Sequence, residues 1–170
     1  MRKKPMKTIL GYTINDTLYE GGQFVVYRGF SEGGKPVVLK VLRKEYPTTI
    51  EVARFQREFK IISEFHVEGV IQVFGIEHYE HTLVMVMEDF GGESLARLKE
   101  RGSLQLNIFE FLNLAIQITK ILDEIHRLGV IHKDINPANI VWNPGTGQLK
   151  IMGQPDLMWV DFYSNHSNLL

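Results

Sequence analysis

The spacing of hydrophobic and polar positions changes several times along the chain. Between Ile9 and Leu42 it is strand-like: Val25-Val26-Tyr27 and Val37-Val38-Leu39 are short β-branched runs, and Ser31-Glu32-Gly33-Gly34 between them is a turn signal. From Ile50 to Glu68 the period lengthens. Phe55, Phe59, Ile62 and His66 recur at three- and four-residue spacing, which predicts an amphipathic helix. Strands are predicted over Val70–Ile76 and Thr82–Met87, with His78, Glu80 and His81 in a loop between them. Gly91-Gly92 breaks the pattern, and after Leu104 a long helix is predicted to run to Gly129. Its inner stripe reads Ile108, Phe111, Ala115, Ile118, Leu122 and Ile125, widened by Leu114 and Ile121, so that it should pack on most sides. Two further strands, Ile140-Val141-Trp142 and Gln148 to Met152, flank a Pro144-Gly145-Thr146-Gly147 turn. The stretch Gly153 to Leu170 has no Lys or Arg and no clear period.

A β-rich first half and a helix-rich second half, joined at Gly91-Gly92, predict an α+β fold of two lobes with a cleft between them, where ligands tend to bind. The length of 170 residues suits one domain, and 44% hydrophobic with 23% charged residues is globular composition. A net charge of −1 gives no electrostatic case for nucleic acid or an anionic membrane. With no cysteine, disulfides and thiolate metal sites are excluded. The basic start Met1 to Lys7 lacks a following apolar region, and no apolar run reaches the ~18 residues of a membrane span, so a solvated leader and a cytoplasmic location are expected.

Three features carry chemistry. Lys40 lies in Val37-Val38-Leu39-Lys40-Val41-Leu42, apolar on both faces. It either snorkels from an edge strand or needs a partner, because burying a charge alone is costly. Glu58 falls on the inward stripe of its helix, between Phe65 and Ile62. It either pairs with Arg54 at the surface or meets Lys40 across the lobe. Finally, His132-Lys133-Asp134-Ile135-Asn136-Pro137-Ala138-Asn139 follows the long helix. In this loop Asp134 can accept a hydroxyl proton and Asn139 can bind Mg²⁺. His78 and His81, without further ligands, make no metal site.

With these residues in place, the chain resembles a eukaryotic-type Ser/Thr protein kinase domain from about Ile9 to Met152. Val37-Val38-Leu39-Lys40 is similar to the V-A-I-K strand of that family, and Glu58 fits the glutamate of its αC helix. Val84 to Gly92 resembles the last small-lobe strand and hinge, and His132 to Asn139 matches H-R-D-x-x-x-x-N. Tyr46-Pro47-Thr48 and Met87-Glu88-Asp89-Phe90-Gly91-Gly92 also look like the kinase-like module of large bacterial multidomain sensor kinases. The resemblance implies a small antiparallel β lobe with an αC helix over residues 9–90, the start of an incomplete helical large lobe over 91–152, and a divergent tail over 153–170. It implies ATP and Mg²⁺ as cofactors. Lys40 would hold the α- and β-phosphates, Glu58 would hold Lys40, Asp134 would orient the substrate hydroxyl and Asn139 would bind the metal. Gly21, Val26, Val38, Met87, Glu88 and Phe90 would surround the nucleotide, with Met87 at the back of the adenine pocket and backbone groups of 88–90 at its edge.

Departures from that pattern are equally specific. Aligning Val26-Tyr27 with the family's V-Y puts Tyr19, Gly21 and Phe24 at the three loop-glycine positions, and only Gly21 matches. Tyr19 and Phe24 should obstruct phosphate approach. Val38 stands for a smaller alanine, Lys133 for arginine and Asn136 for lysine. Lysine at 133 makes control by a phosphorylated loop less expected, and the lost charge at 136 should slow transfer. Gly153-Gln154-Pro155 stands where the family has D-F-G, so the main Mg²⁺ ligand is missing, with Asp156 and Asp161 only later along the chain. The expectations are therefore a protein Ser/Thr kinase-type domain acting on a protein hydroxyl in signalling, a truncated or frameshifted product or pseudokinase fragment without turnover, or a small-molecule phosphotransferase. Other signalling domains of a larger parent are possible partners. An incomplete large lobe should leave the long helix with exposed apolar surface.

Overall fold

The computed structural model describes residues 7–43, 46–64, 66–153 and the backbone of 158–159. Its first part is a six-stranded antiparallel sheet in the order β1-β2-β3-β4-β6-β5. The strands are β1 (Thr8–Ile9), β2 (Tyr12–Glu20), β3 (Phe24–Phe30), β4 (Pro36–Leu42), β5 (Val73–Tyr79) and β6 (Thr82–Glu88). A single helix, α1 (Thr49–Glu64), packs on β5 and β6. β4 lies between β3 and β6, which explains its unbroken apolar run. Val37, Leu39 and Val41 join one core layer with Val84 and Val86, while Val38 and Leu42 face a second layer with Phe55 of α1, Met85 and Met87. Side chains alternate along a strand, so Lys40 shares the α1 face with Val38 and Leu42.

The second part holds α2 (Leu95–Glu100), α3 (Ile108–Arg127) and the short strands β7 (Glu93–Ser94), β8 (Val130–Ile131), β9 (Ile140–Trp142), β10 (Leu149–Ile151) and β11 (Met158–Trp159). The sheet β10-β9-β7 and the pair β11-β8 are antiparallel. The predicted α+β, two-lobed architecture is present. The lobes are also stitched together: Ile71 N–H donates to Ile151 O at 3.0 Å, and Ile151 N–H to Gly69 O at 2.8 Å. Ile61 and Ile62 of α1 join the lower core with Leu98, Leu114, Ile121, Trp142 and Ile151.

Several expectations change. α1 ends at Glu64 rather than Glu68, and Phe65 lies outside the described residues. β5 begins at Val73, because the backbone of residues 69–71 is engaged by β10. It runs to Tyr79, so His78 is on a strand, and His81 sits at the hairpin turn, stacked on Tyr46 at 4.9 Å. The helix α2 and the strands β7, β8 and β11 are too short to show a period.

The long helix begins with a capping box between Asn107 and Glu110, and Gly129 follows its end at φ +76°. Its inward stripe is the expected one from Leu114 onward and departs from it at Ile108 and Phe111. Leu114, Ile121 and Ile125 are buried, with Ile118 and Leu122 partly so. Ile108, Phe109, Phe111, Leu112 and Ile116 are exposed, Phe109 by 79%. The helix therefore packs on one side only and presents an apolar outer face.

Candidate active site

The lysine in the central strand is fully enclosed. Lys40 Nζ lies 2.6 Å from Glu58 Oε1, and their side chains are 1% and 4% exposed. The edge-strand alternative for Lys40 and the surface Arg54 alternative for Glu58 both fall away. α1 supplies Glu58 from the face that also buries Phe55, Ile61 and Ile62. Burial pushes the Glu58 carboxyl above its ordinary range, and the Lys40 charge and hydrogen bond only partly pull it back. Two aromatic rings complete the enclosure: the Phe24 centroid is 4.3 Å from Nζ and the Phe55 centroid 5.9 Å.

Between the lobes lies a cleft of about 740 Å³. Val26, Val38 and Met87 of the first part and Val141 and Met152 of the second line it. Glu88, Asp89 and Phe90 of the connection between the lobes also line it, as do Asp134, Asn136 and Asn139 of the loop after β8. Gly21, Lys40 and Glu58 do not reach the cleft wall. Of the sequence-predicted residues, the structure thus brings Val26, Val38, Met87, Glu88, Phe90, Asp134 and Asn139 to one cleft. Lys40 and Glu58 are paired with each other off its wall.

The loop after β8 is tightly organised. His132 is buried, and its Nε2 is 2.8 Å from Met152 O. Met152 N–H donates back to Asn139 O at 2.8 Å. Asn139 Nδ2 donates to Asp134 Oδ2 and to Asp134 O, each at 2.9 Å. Asn136 Nδ2 donates to Asp134 Oδ1 at 2.8 Å, while its own Oδ1 accepts from Ala138 N–H. Both carboxylate oxygens of Asp134 are thus held by asparagine amides. Asn136, expected only as a lost positive charge, is one of the two residues that orient Asp134. Lys133 takes φ +61°, which turns the chain sharply between His132 and Asp134.

Sequence reasoning missed two ion pairs at the connection between the lobes. Lys150 of β10 is buried and pairs with Glu88 Oε1 at 2.6 Å, and that same oxygen accepts from Gln72 N–H at 2.7 Å. The Glu88 N–H is itself engaged by Gln72 O at 3.0 Å. Arg28 of β3 grips Asp89 with two nitrogens, at 2.7 and 3.1 Å, and also donates to Gly92 O. A lysine between Leu149 and Ile151 was the available signal for the first pair, and it is the same signal that marked Lys40. At the end of β10, a β-carbon added to Gly153 would stand 2.4 Å from Ile62 Cγ1, so α1 packs directly on this position. Asp156 and Asp161 lie outside the described residues. Among the described residues, no group of three or more His, Cys, Asp and Glu side chains could hold a metal ion, His78 and His81 included. No helix among them is long and apolar enough to cross a membrane.

A family model described as protein kinase domain matches residues 12–154. The chain is 30% identical over 133 residues to a probable serine/threonine-protein kinase of Clostridium acetobutylicum, with 76% of the chain and 20% of that protein covered. It is 34% identical over 136 residues to the serine/threonine-protein kinase pkn3 of Myxococcus xanthus, covering 78% of the chain and 25% of the relative. A probable myosin light chain kinase of Dictyostelium discoideum is 27% identical over 142 residues, covering 82% and 36%. The chain therefore spans roughly a fifth to a third of the length of these curated relatives.

Proposed function

The chain belongs to the protein kinase domain family, and from that premise we propose that its cleft binds an adenine nucleotide, as a Ser/Thr kinase-type domain does. One observation carries this reading. The Lys40–Glu58 pair, at 2.6 Å and buried on both sides, stands off the wall of a cleft of about 740 Å³ that Asp134 and Asn139 line. Removing two charges from water is expensive, and hydrophobic side chains of the same volume would usually serve stability as well. A pair in this position is better explained by a phosphate-handling role.

In this reading the apolar walls of Val26, Val38, Val141 and Met152 sandwich the base, with Met87 at the back. Glu58 holds the Lys40 ammonium in position for phosphate oxygens. Asp134, fixed by Asn136 and Asn139, accepts the proton of a Ser or Thr hydroxyl on a protein substrate as the γ-phosphoryl group moves to it. The relatives named as serine/threonine-protein kinases support that acceptor class. The hinge residues and the Lys40–Glu58 pair favour it over a small-molecule phosphotransferase. Further signalling domains and a cytoplasmic setting belong to the same proposal.

Magnesium fits less well. Asn139 offers one oxygen ligand, but the position at the end of β10 is Gly153, packed on Ile62, and supplies no carboxylate. The described residues do not complete a magnesium site. That observation favours a second reading, a nucleotide-binding domain with little or no turnover. The test is calorimetry with ATP in the presence and absence of magnesium, with Lys40→Ala as control. Binding lost in the variant supports the nucleotide cleft, and no binding in either protein overturns it. Phosphotransfer to a mixed Ser/Thr peptide substrate then separates the two readings.

A further inference from the structure

Lys40 cannot meet a phosphate in the conformation described above. Its side chain is 1% exposed, and it is absent from the cleft wall. Something must move before an anion reaches the ammonium, and the three groups that enclose it are unequal. Glu58 and Phe55 are buried in the packing of α1 against the sheet. Phe24 is the first residue of β3, only partly buried, and it lines the cleft. It thus belongs to the cleft wall and carries a ring centroid 4.3 Å from the ammonium.

The turn preceding Phe24 is built to let that ring leave. Gly21 N–H donates to Phe24 O at 3.0 Å, closing a tight turn over Gly22 and Gln23. A side chain at Gly22 would meet nothing within 4 Å. The other neighbour of the ring is Tyr19, half-exposed, at 5.5 Å between centroids. Tyr19 lies across Gly21, its hydroxyl where a β-carbon of residue 21 would be. The two aromatic residues therefore fill the arch under the turn themselves.

We propose that Phe24 is a gate over Lys40: its ring takes the face of the ammonium that phosphate oxygens would need. The cleft then admits an adenine nucleoside freely and a nucleoside triphosphate only once Phe24 has turned out. This rests on the nucleotide-cleft reading above and makes Phe24 a residue that sets specificity between ligands with and without phosphate. A cation over an aromatic face in a desolvated setting is attracted strongly enough that displacing it should weaken triphosphate binding by about tenfold to thirtyfold.

The experiment is calorimetry of adenosine and of magnesium ATP with the wild-type chain, Phe24→Gly and Phe24→Leu. Phe24→Gly is expected to tighten ATP about tenfold to thirtyfold and leave adenosine within about twofold. Phe24→Leu keeps an apolar side chain at the start of β3 but has no π face, so it guards against a folding defect in the glycine variant. It should tighten ATP by a smaller factor. Unchanged or weaker ATP binding in both variants, with adenosine still bound, overturns the gate and leaves the cleft reading standing. Failure of wild type and variants alike to bind either ligand overturns both.

Discussion

A β-carbon at position 153 would stand 2.4 Å from Cγ1 of Ile62, a residue buried in the core shared by α1, α3 and β10. The two residues are far apart in sequence, yet the contact decides what can occupy the end of β10. A side chain there must push a buried isoleucine, and overpacking of this kind costs about 1–3 kcal/mol. The missing carboxylate and the tight packing are thus one structural fact.

Restoring an aspartate should therefore not restore a magnesium site. Gly153→Asp is expected to destabilise the chain by about 1–3 kcal/mol in urea denaturation, and Ile62→Ala should relieve part of that penalty in the double variant. A neutral Gly153→Asp, or a double variant whose losses simply add, would show that the two positions do not compete for the same space.

The buried ion pair should respond unequally to single and double substitution. Lys40→Met leaves a buried carboxylate without its cation and should cost about 3–5 kcal/mol, whereas Lys40→Met with Glu58→Leu should recover most of the loss. Equilibrium unfolding of the three variants measures it. Equal losses in the single and double variants would mean that the pair contributes net stability rather than serving the cleft.

The pH dependence follows from Glu58. Its carboxyl is pushed upward in the folded chain, first by burial, so the folded state binds its proton more readily than the unfolded state. This contribution to stability is complete below the ordinary glutamate range and is lost as pH rises through the raised folded value. Relative to Glu58→Gln, wild type should therefore lose stability as pH rises above the ordinary glutamate range. Chemical denaturation over a series of rising pH values is the measurement, and a wild type that gains stability relative to Glu58→Gln as pH rises would reverse the sign of the shift.

Much of this was legible in the residues, for identifiable reasons. Lys40 stood out because both faces of β4 are apolar, and Glu58 because a carboxylate broke an inward stripe. Asp134 and Asn139 share one loop, so their spacing alone placed them together. What was not legible depends on contacts between distant segments. Phe24 reads as an obstruction in sequence, but only the pairing of β3 with β4 places its ring over Lys40. Glu88 and Lys150 are 62 residues apart and meet only where β10 passes behind the end of β6. The stripe of α3 was legible from Leu114 onward, but not at Ile108 and Phe111, because apolar residues occur nearly all round the first turns of the helix.

That same helix gives the last prediction. Phe109 and Phe111 are 79% and 56% exposed, on a helix whose packing is carried by Leu114, Ile121 and Ile125. Replacing exposed aromatic rings with serine removes little buried area, and the helix propensities of Phe and Ser are close. The double variant Phe109→Ser/Phe111→Ser should therefore change stability by less than about 1 kcal/mol. It should also raise the concentration at which light scattering reports self-association, because contiguous exposed apolar surface promotes it. Leu114→Ala, one turn further along but facing inward, should cost about 2–5 kcal/mol. If the two serine substitutions destabilised the chain as much as Leu114→Ala, the rings would have to be packed in solution. The outer face of α3 would then be covered by protein rather than open to water.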